Sequence, residues 1–338
     1  MNYREDRNVT EPYKRQYLRG IEALIEDLEQ ETRKKRSHLR KEILADPEPY
    51  RRNFFEMLGW PLTQSRDKTP PTVKTEFVTE EGSLTVHRMQ IEILEGVWMS
   101  GLLLRHKDGE KRPFVLTQHG ALGTPERITG IFEGTTANYN HMPERVWKAG
   151  ANVFAPQLLI WAPEVYGVEF DRAVLDAKLK KVGSSITAVE IYGLMRVLDY
   201  FETLDWVGNI GMVGLSYGGF YTLFTTAADT RIRAAISCSF FCEGNQHLFP
   251  DWGFWNMDKC WGEAEIACLV HPRLLLLEMG DQDALFDWRK SQAEYERRLE
   301  ACGDDRNWVD YKTFGGTHEF YREDDHINKL MDCLTEEA

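Results

Sequence analysis

Ser216 lies in Gly214-Leu215-Ser216-Tyr217-Gly218-Gly219, a G-x-S-x-G pattern. The apolar run Asn209-Ile210-Gly211-Met212-Val213 before it reads as a strand, and residues 220–228 after it read as a helix. The serine therefore falls on a sharp strand-to-helix turn, where the glycines allow close backbone approach. A serine hydroxyl is a weak nucleophile near neutral pH; it needs a base, and the base needs a carboxylate to orient it. In a sheet that presents these groups on successive strand ends, the chain order is serine, acid, histidine. Two later strands supply that order. Residues 274–279 lead into Gly280-Asp281-Gln282-Asp283, and residues 309–313 lead into Gly315-Gly316-Thr317-His318. The chemistry this set can perform is acyl transfer in two steps, through an ester on Ser216.

His318 is the expected base. His326 also lies downstream, but it follows a charged stretch and is expected to be exposed, while His247 and His271 precede the acid. Asp283 sits where the loop can curl back toward the histidine; Asp281 and Glu278 are the alternatives. A developing oxyanion needs N–H donors. The expected donors are the backbone N–H of Tyr217, just after the nucleophile, and that of Ala121, in the loop His119-Gly120-Ala121-Leu122-Gly123 after the strand 114–118. His119 either lines the substrate pocket or bonds the backbone of its own turn.

Residues 72–78, 83–94 and 97–106 read as β-strands joined by short turns. Beyond them, apolar strand-length runs at 114–118, 152–155, 210–215, 232–237, 273–279 and 309–313 alternate with helical patterns, notably a long one at 171–204. Such alternation predicts an α/β fold with a mostly parallel sheet covered on both faces. Residues 1–69 form an expected N-terminal helical extension, and residues 70–338 the catalytic domain. In the extension, Leu18, Ile21, Ile25 and Leu28 share one helical face, and Leu39 and Ile43 resume it. This stripe either packs on the main domain or joins two copies as a homodimer. Arg33-Lys34-Lys35-Arg36 reads as a solvated helix face, and a second helix is expected from Asp46-Pro47 to Leu58.

The 338 residues carry 41 basic and 54 acidic side chains, a net charge of −13. Residues 1–50 hold 11 of each sign, so the whole excess belongs to the remainder of the chain. An acidic balance of this kind disfavours nucleic acid and anionic membrane surfaces as partners, and it slows the approach of strongly anionic substrates. No apolar run reaches membrane-spanning length, and the charged start does not read as a signal peptide. The six cysteines, none in C-x-x-C spacing, read as reduced thiols of a cytoplasmic protein. No G-x-G-x-x-G, Walker loop or H-E-x-x-H is present, so neither cofactor nor metal is expected.

Ser216-Tyr217-Gly218-Gly219-Phe220, Asp229-Thr230-Arg231-Ile232-Arg233-Ala234-Ala235 and His271-Pro272-Arg273-Leu274-Leu275-Leu276 resemble the α/β-hydrolase superfamily, specifically dienelactone-hydrolase-related and acetyl-xylan-esterase-like serine esterases. The resemblance covers about 200 residues, ending at His318. It implies an ester hydrolase of small or carbohydrate-linked acyl groups that uses Ser216, Asp283 and His318. Dienelactone hydrolases themselves carry cysteine where Ser216 stands, and the oxyanion loop lacks the glycine run of HGGG esterases. The elbow also resembles prolyl-oligopeptidase-like peptidases, which makes a peptidase the alternative, although the stretch before His119 is too short for a propeller. A binding protein on a hydrolase scaffold is the third reading.

Two aromatic stretches beyond strand ends, 157–170 and 240–261, are expected to form cap-like insertions over the site. Trp161, Trp252 and Trp255 are the pocket candidates, either stacking on sugar rings or filling the core of the insertions. Asp251, beside Trp252, is a candidate ligand for a hydroxylated alcohol portion.

Overall fold

The computed structural model describes residues 2–67, 69–121, 123–132, 137–160, 167–242, 249–302 and 307–336. Nine strands form one sheet: β1 (Val73–Glu81), β2 (Leu84–Leu94), β3 (Val97–His106), β4 (Arg112–Gln118), β5 (Asn152–Pro156), β6 (Val207–Leu215), β7 (Ile232–Cys238), β8 (Leu274–Gly280) and β9 (Val309–Phe314). Their spatial order is β1-β2-β3-β5-β4-β6-β7-β8-β9. β1, β2 and β3 pair antiparallel and β3 joins β5 antiparallel; all pairings from β5 to β9 are parallel. The chain leaves β4 to one side for β5 and returns on the other for β6. That reversal opens a crevice at the carboxyl ends of β4 and β6, the place where open α/β sheets hold their sites.

The helices follow from chain order: α1 (Glu11–Ala45), α2 (Pro47–Leu58), α3 (Pro125–Ile128), α4 (Met142–Lys148), α5 (Arg172–Lys181), α6 (Ile186–Phe201), α7 (Tyr217–Ala228), α8 (Met257–Cys260), α9 (Glu263–Cys268), α10 (Trp288–Cys302) and α11 (Asp325–Thr335). One sheet face buries Ile191, Leu194 and Leu198 of α6 with Phe220 and Phe224 of α7; the other buries Val146 of α4 with Leu330, Met331 and Leu334 of α11. Both faces are covered, so the parallel strands carry apolar side chains in near-continuous runs.

The long helical pattern at 171–204 is two helices, not one. Gly183 takes φ +80° and Ser185 caps α6 through its hydroxyl, which accepts the N–H of Ala188. The break has a buried anchor as well, since Asp176 accepts the N–H of Ile186.

The long α1 is docked by its C-terminal half. Ile43 is fully buried, Arg40 bonds Glu265 at 2.7 Å, and Arg36 donates to the Trp261 carbonyl at 2.8 Å. The basic run is thus not wholly solvated, because Arg36 reaches a carbonyl beyond α8. Arg51 of α2 donates to the carbonyls of Ala227 and Leu269. A cation at the C-terminal end of α7 opposes the helix dipole favourably and pins the helix that begins at Ser216. Among the described residues no helix is long and apolar enough to cross a membrane.

Candidate active site

Ser216 stands between β6 and α7 with φ 61° and ψ −121°, a left-handed strained position for a residue with a Cβ. The chain holds it there by close contact. A Cβ on Gly214 would lie 2.2 Å from the Gly218 carbonyl oxygen, and one on Gly218 would lie 2.1 Å from that of Gln118. No side chain fits at either position, which is the physical content of the G-x-S-x-G spacing. The Ser216 N–H donates to the Cys238 carbonyl at the end of β7, 2.9 Å away.

The loops after β8 and β9 are stitched to each other. Asp281 N–H donates to the Phe314 carbonyl and Gln282 N–H to the Gly316 carbonyl, each at 2.9 Å, while Asp281 Oδ1 accepts the N–H of Gly316 at 3.2 Å. This brings His318 Nδ1 to 2.8 Å from Asp283 Oδ2. The other oxygen, Oδ1, accepts the N–H groups of Leu285 and Phe286 at 2.8 and 3.0 Å. The Asp283 carboxylate is buried and accepts on both oxygens, so it holds one orientation. The Phe286 ring stacks on the imidazole at 5.6 Å and 19°. With Nδ1 donating to the carboxylate, Nε2 is left as the basic nitrogen.

The other acids lie elsewhere. Asp281 serves the loop backbone, and Glu278 Oε1 is 3.0 Å from Nδ1 of His326. His326 is buried, not exposed, at 2 %. The charged residues before it only lead into α11, whose buried face carries His326, Ile327, Leu330 and Leu334.

On the other side of Ser216 runs the loop after β4. A Cβ on Gly120 would lie 2.8 Å from the Leu215 carbonyl oxygen and 3.1 Å from Ser216 Cβ, so this backbone passes directly against the elbow. The N–H of Gly120 is bound by the Tyr139 hydroxyl; among the described residues Ala121 N–H meets no acceptor. Tyr217, the residue after the nucleophile, occupies the first position of α7.

His119 is fully buried. Its Nδ1 lies 2.9 Å from the Gly120 carbonyl, and its Nε2 accepts the N–H of Leu158 at 3.2 Å with Gln157 Nε2 equally close. Burial pushes the imidazole down to about 4. A neutral ring with both nitrogens occupied braces the turn and offers no open valence to a ligand.

Tyr217 carries a second connection. Its hydroxyl donates to Asp251, which is 1 % exposed and pairs with Arg172 Nε at 2.7 Å. Arg172 also bonds Glu190 at 3.0 Å, the Tyr221 hydroxyl at 2.6 Å and the Leu159 carbonyl at 2.6 Å. Asp251 is therefore spent on this buried network rather than presented to a ligand. Nothing in the local sequence marks Arg172, because its partners come from four other segments.

Trp252 stacks on Phe220 at 5.1 Å and packs edge-on against Phe240 and Phe249, and its Nε1 is buried with no hydrogen-bond partner among the described residues. Phe240, Phe241 and Trp261 are core residues. Trp255 is 88 % exposed and stands apart from this cluster. Trp161, Tyr166 and His247 lie outside the described residues. Among the described residues no three His, Cys, Asp or Glu side chains converge as a metal site.

No family model and no curated protein matches the chain. Solved structures do. An acetyl xylan esterase structure from Bacteroides fragilis, described as putative, superposes with TM-score 0.62 at 17% identity, covering 79% of this chain and 74% of that one. A glucuronoyl esterase from Solibacter usitatus gives 0.62 at 15% identity, covering 87% and 93%. Acetyl xylan esterase 1 from a Thermoanaerobacterium species gives 0.56 at 14% identity, covering 85% and 93%. Together with the sheet order and the elbow, these likenesses show the α/β-hydrolase fold, with the N-terminal helix added to it.

Proposed function

We propose that the chain is a serine carboxylic-ester hydrolase. The observation that carries this reading is the bond between His318 and Asp283 at the carboxyl edge of the sheet that also presents Ser216 on its strained elbow. In this account Nε2 of His318 takes the Ser216 proton as the hydroxyl attacks an ester carbonyl. The N–H groups of Tyr217 and Ala121 receive the oxyanion, and His318 returns the proton to the leaving alcohol. Water activated by the same nitrogen then clears the acyl group. Asp283 keeps the imidazole in the productive tautomer and stabilises its cation.

Small or carbohydrate-linked acyl esters are the proposed substrates. The acetyl xylan and glucuronoyl esterases among the neighbours support this class. The residues before β4 form α1, α2 and strands β1 to β3 of the same sheet, which favours an esterase over a propeller-bearing peptidase. Acetylated sugars and short acyl esters, compared with Pro-containing peptides on the purified protein, test the choice. Release of acetate without peptide cleavage is expected, and peptide cleavage alone would overturn it.

The N-terminal extension is proposed to join two copies. Tyr17, Leu18, Leu24 and Leu28 on the undocked half of α1 are each more than half exposed. They continue the stripe that the C-terminal half buries. The segment from Glu11 to Glu31 carries three basic and six acidic residues, which disfavours an anionic lipid surface as the cover. A cytoplasmic setting, with the six cysteines as reduced thiols, belongs to the same proposal.

A further inference from the structure

Three consecutive residues, two in the short turn at 137–139 and one directly after it, touch both loops that flank Ser216. The Tyr139 hydroxyl accepts the N–H of Gly120 at 2.5 Å, on the loop after β4. Asn140 Nδ2 donates to Glu319 Oε2 at 2.9 Å and to the Phe320 carbonyl at 2.5 Å, on the loop after β9. The Asn138 carbonyl accepts the N–H of Phe320 at 2.7 Å. None of the three belongs to a sequence motif.

The arrangement is specific on each side. A Cβ on Gly120 would lie 3.1 Å both from Ser216 Cβ and from the Tyr139 hydroxyl oxygen, so the phenol, the loop and the nucleophile meet at one point. Tyr139 is 3 % exposed. Glu319, the residue after His318, is buried too and accepts from Thr317 N–H at 3.2 Å and Arg322 Nε at 2.8 Å. Asn140 and His141 take φ 47° and 55° in succession. Two strained residues in a row persist only where the surroundings hold them, and strain of this kind gathers where geometry is functional.

We infer that Asn138-Tyr139-Asn140 is a strap that fixes the oxyanion loop and the base loop relative to each other, with Tyr139 and Asn140 as positioning residues for the reaction at Ser216. The inference rests on the hydrolase reading above. Its physical basis is the choice of donor. The Tyr139 oxygen occupies the Gly120 N–H and leaves the next N–H, that of Ala121, without an acceptor among the described residues. Without that oxygen Gly120 N–H competes for the oxyanion, and the loop is free to rotate. A displacement of about 1 Å at a reacting centre costs up to ~100-fold in rate.

The test uses the full chain, with p-nitrophenyl acetate kinetics, thermal melting and the low-field NMR resonance of the His318 Nδ1 proton. Tyr139→Phe removes a single oxygen. Asn140→Gly removes the amide while tolerating positive φ. Each is expected to lower kcat ~10-fold or more with KM within ~2-fold. Asn140→Gly should shift or broaden the His318 resonance, whereas Tyr139→Phe should leave it in place. The double variant should lose less than the product of the two single losses. Should either variant fail to fold, Glu319→Gln takes its place and is expected to repeat the Asn140→Gly result. Folded variants with wild-type kcat and an unmoved resonance would overturn the strap, as would losses in kcat that merely track melting temperature. A wild-type protein inert to esters and to fluorophosphonate sinks the hydrolase reading instead. The His318 resonance then still decides whether the strap holds the loop.

Discussion

Asp283 and His318 are 35 positions apart in the chain and 2.8 Å apart in space, because the loops after two adjacent parallel strands are hydrogen-bonded to each other before either residue is reached. The acid is thereby distinguished from its neighbours by contact. Asp283→Asn is expected to lower kcat by ~100-fold or more, since the amide no longer holds the tautomer. Asp281→Asn and Glu278→Gln should stay within ~10-fold, as neither carboxylate touches the imidazole among the described residues. A ranking in which Asp281→Asn costs most would assign the role to the wrong acid.

Glu263 provides a pH test of how α9 is seated. Burial first, and then the neighbouring Glu294 carboxylate, push it up to about 8. A carboxyl whose folded pKa lies above its unfolded value binds more protons when folded, so its contribution is complete below the ordinary glutamate value. It is lost as pH rises toward about 8, at about 1.4 kcal/mol per pH unit. Glu263→Gln should therefore gain stability over the parent as pH rises through that window in urea unfolding. A difference that stays flat with pH would contradict the assignment.

Arg172 joins Glu190, Asp251 and Tyr221 in a buried network that reaches the residue after the nucleophile. Arg172→Met leaves two buried carboxylates without their cation, which should cost ~3–5 kcal/mol. Denaturant unfolding reads this directly, and a loss under ~1 kcal/mol would mean the network is solvated.

The exposed stripe on α1 predicts association. Ile21→Glu with Ile25→Glu should convert a particle of two chains to one of a single chain by sedimentation, with ester turnover per chain largely kept. An unchanged mass, or a parent already of one chain, would remove the proposal.

The sheet and the three loops that carry Ser216, Asp283 and His318 were legible because each follows an apolar strand with few alternatives of type and order. The break after Lys181 was also written in the chain, as Gly183-Ser184-Ser185, a stop signal followed by a cap. Burial of His326 could have been read from the spacing of Ile327, Leu330 and Leu334, which places it on the apolar face of α11. Tyr139, Asn140 and Arg172 were not legible. Each acts through partners many positions away, and no local pattern marks a residue whose role is to join distant segments.

Ser216 Oγ is the atom proposed to carry the acyl group. Brief reaction with p-nitrophenyl acetate, acid quenching and peptide mass mapping locates that group. Acetyl on the peptide containing Ser216 is expected, together with a loss of ~10⁴-fold or more in turnover for Ser216→Ala. Undiminished turnover in Ser216→Ala, or acetyl bound to a different residue, would contradict it.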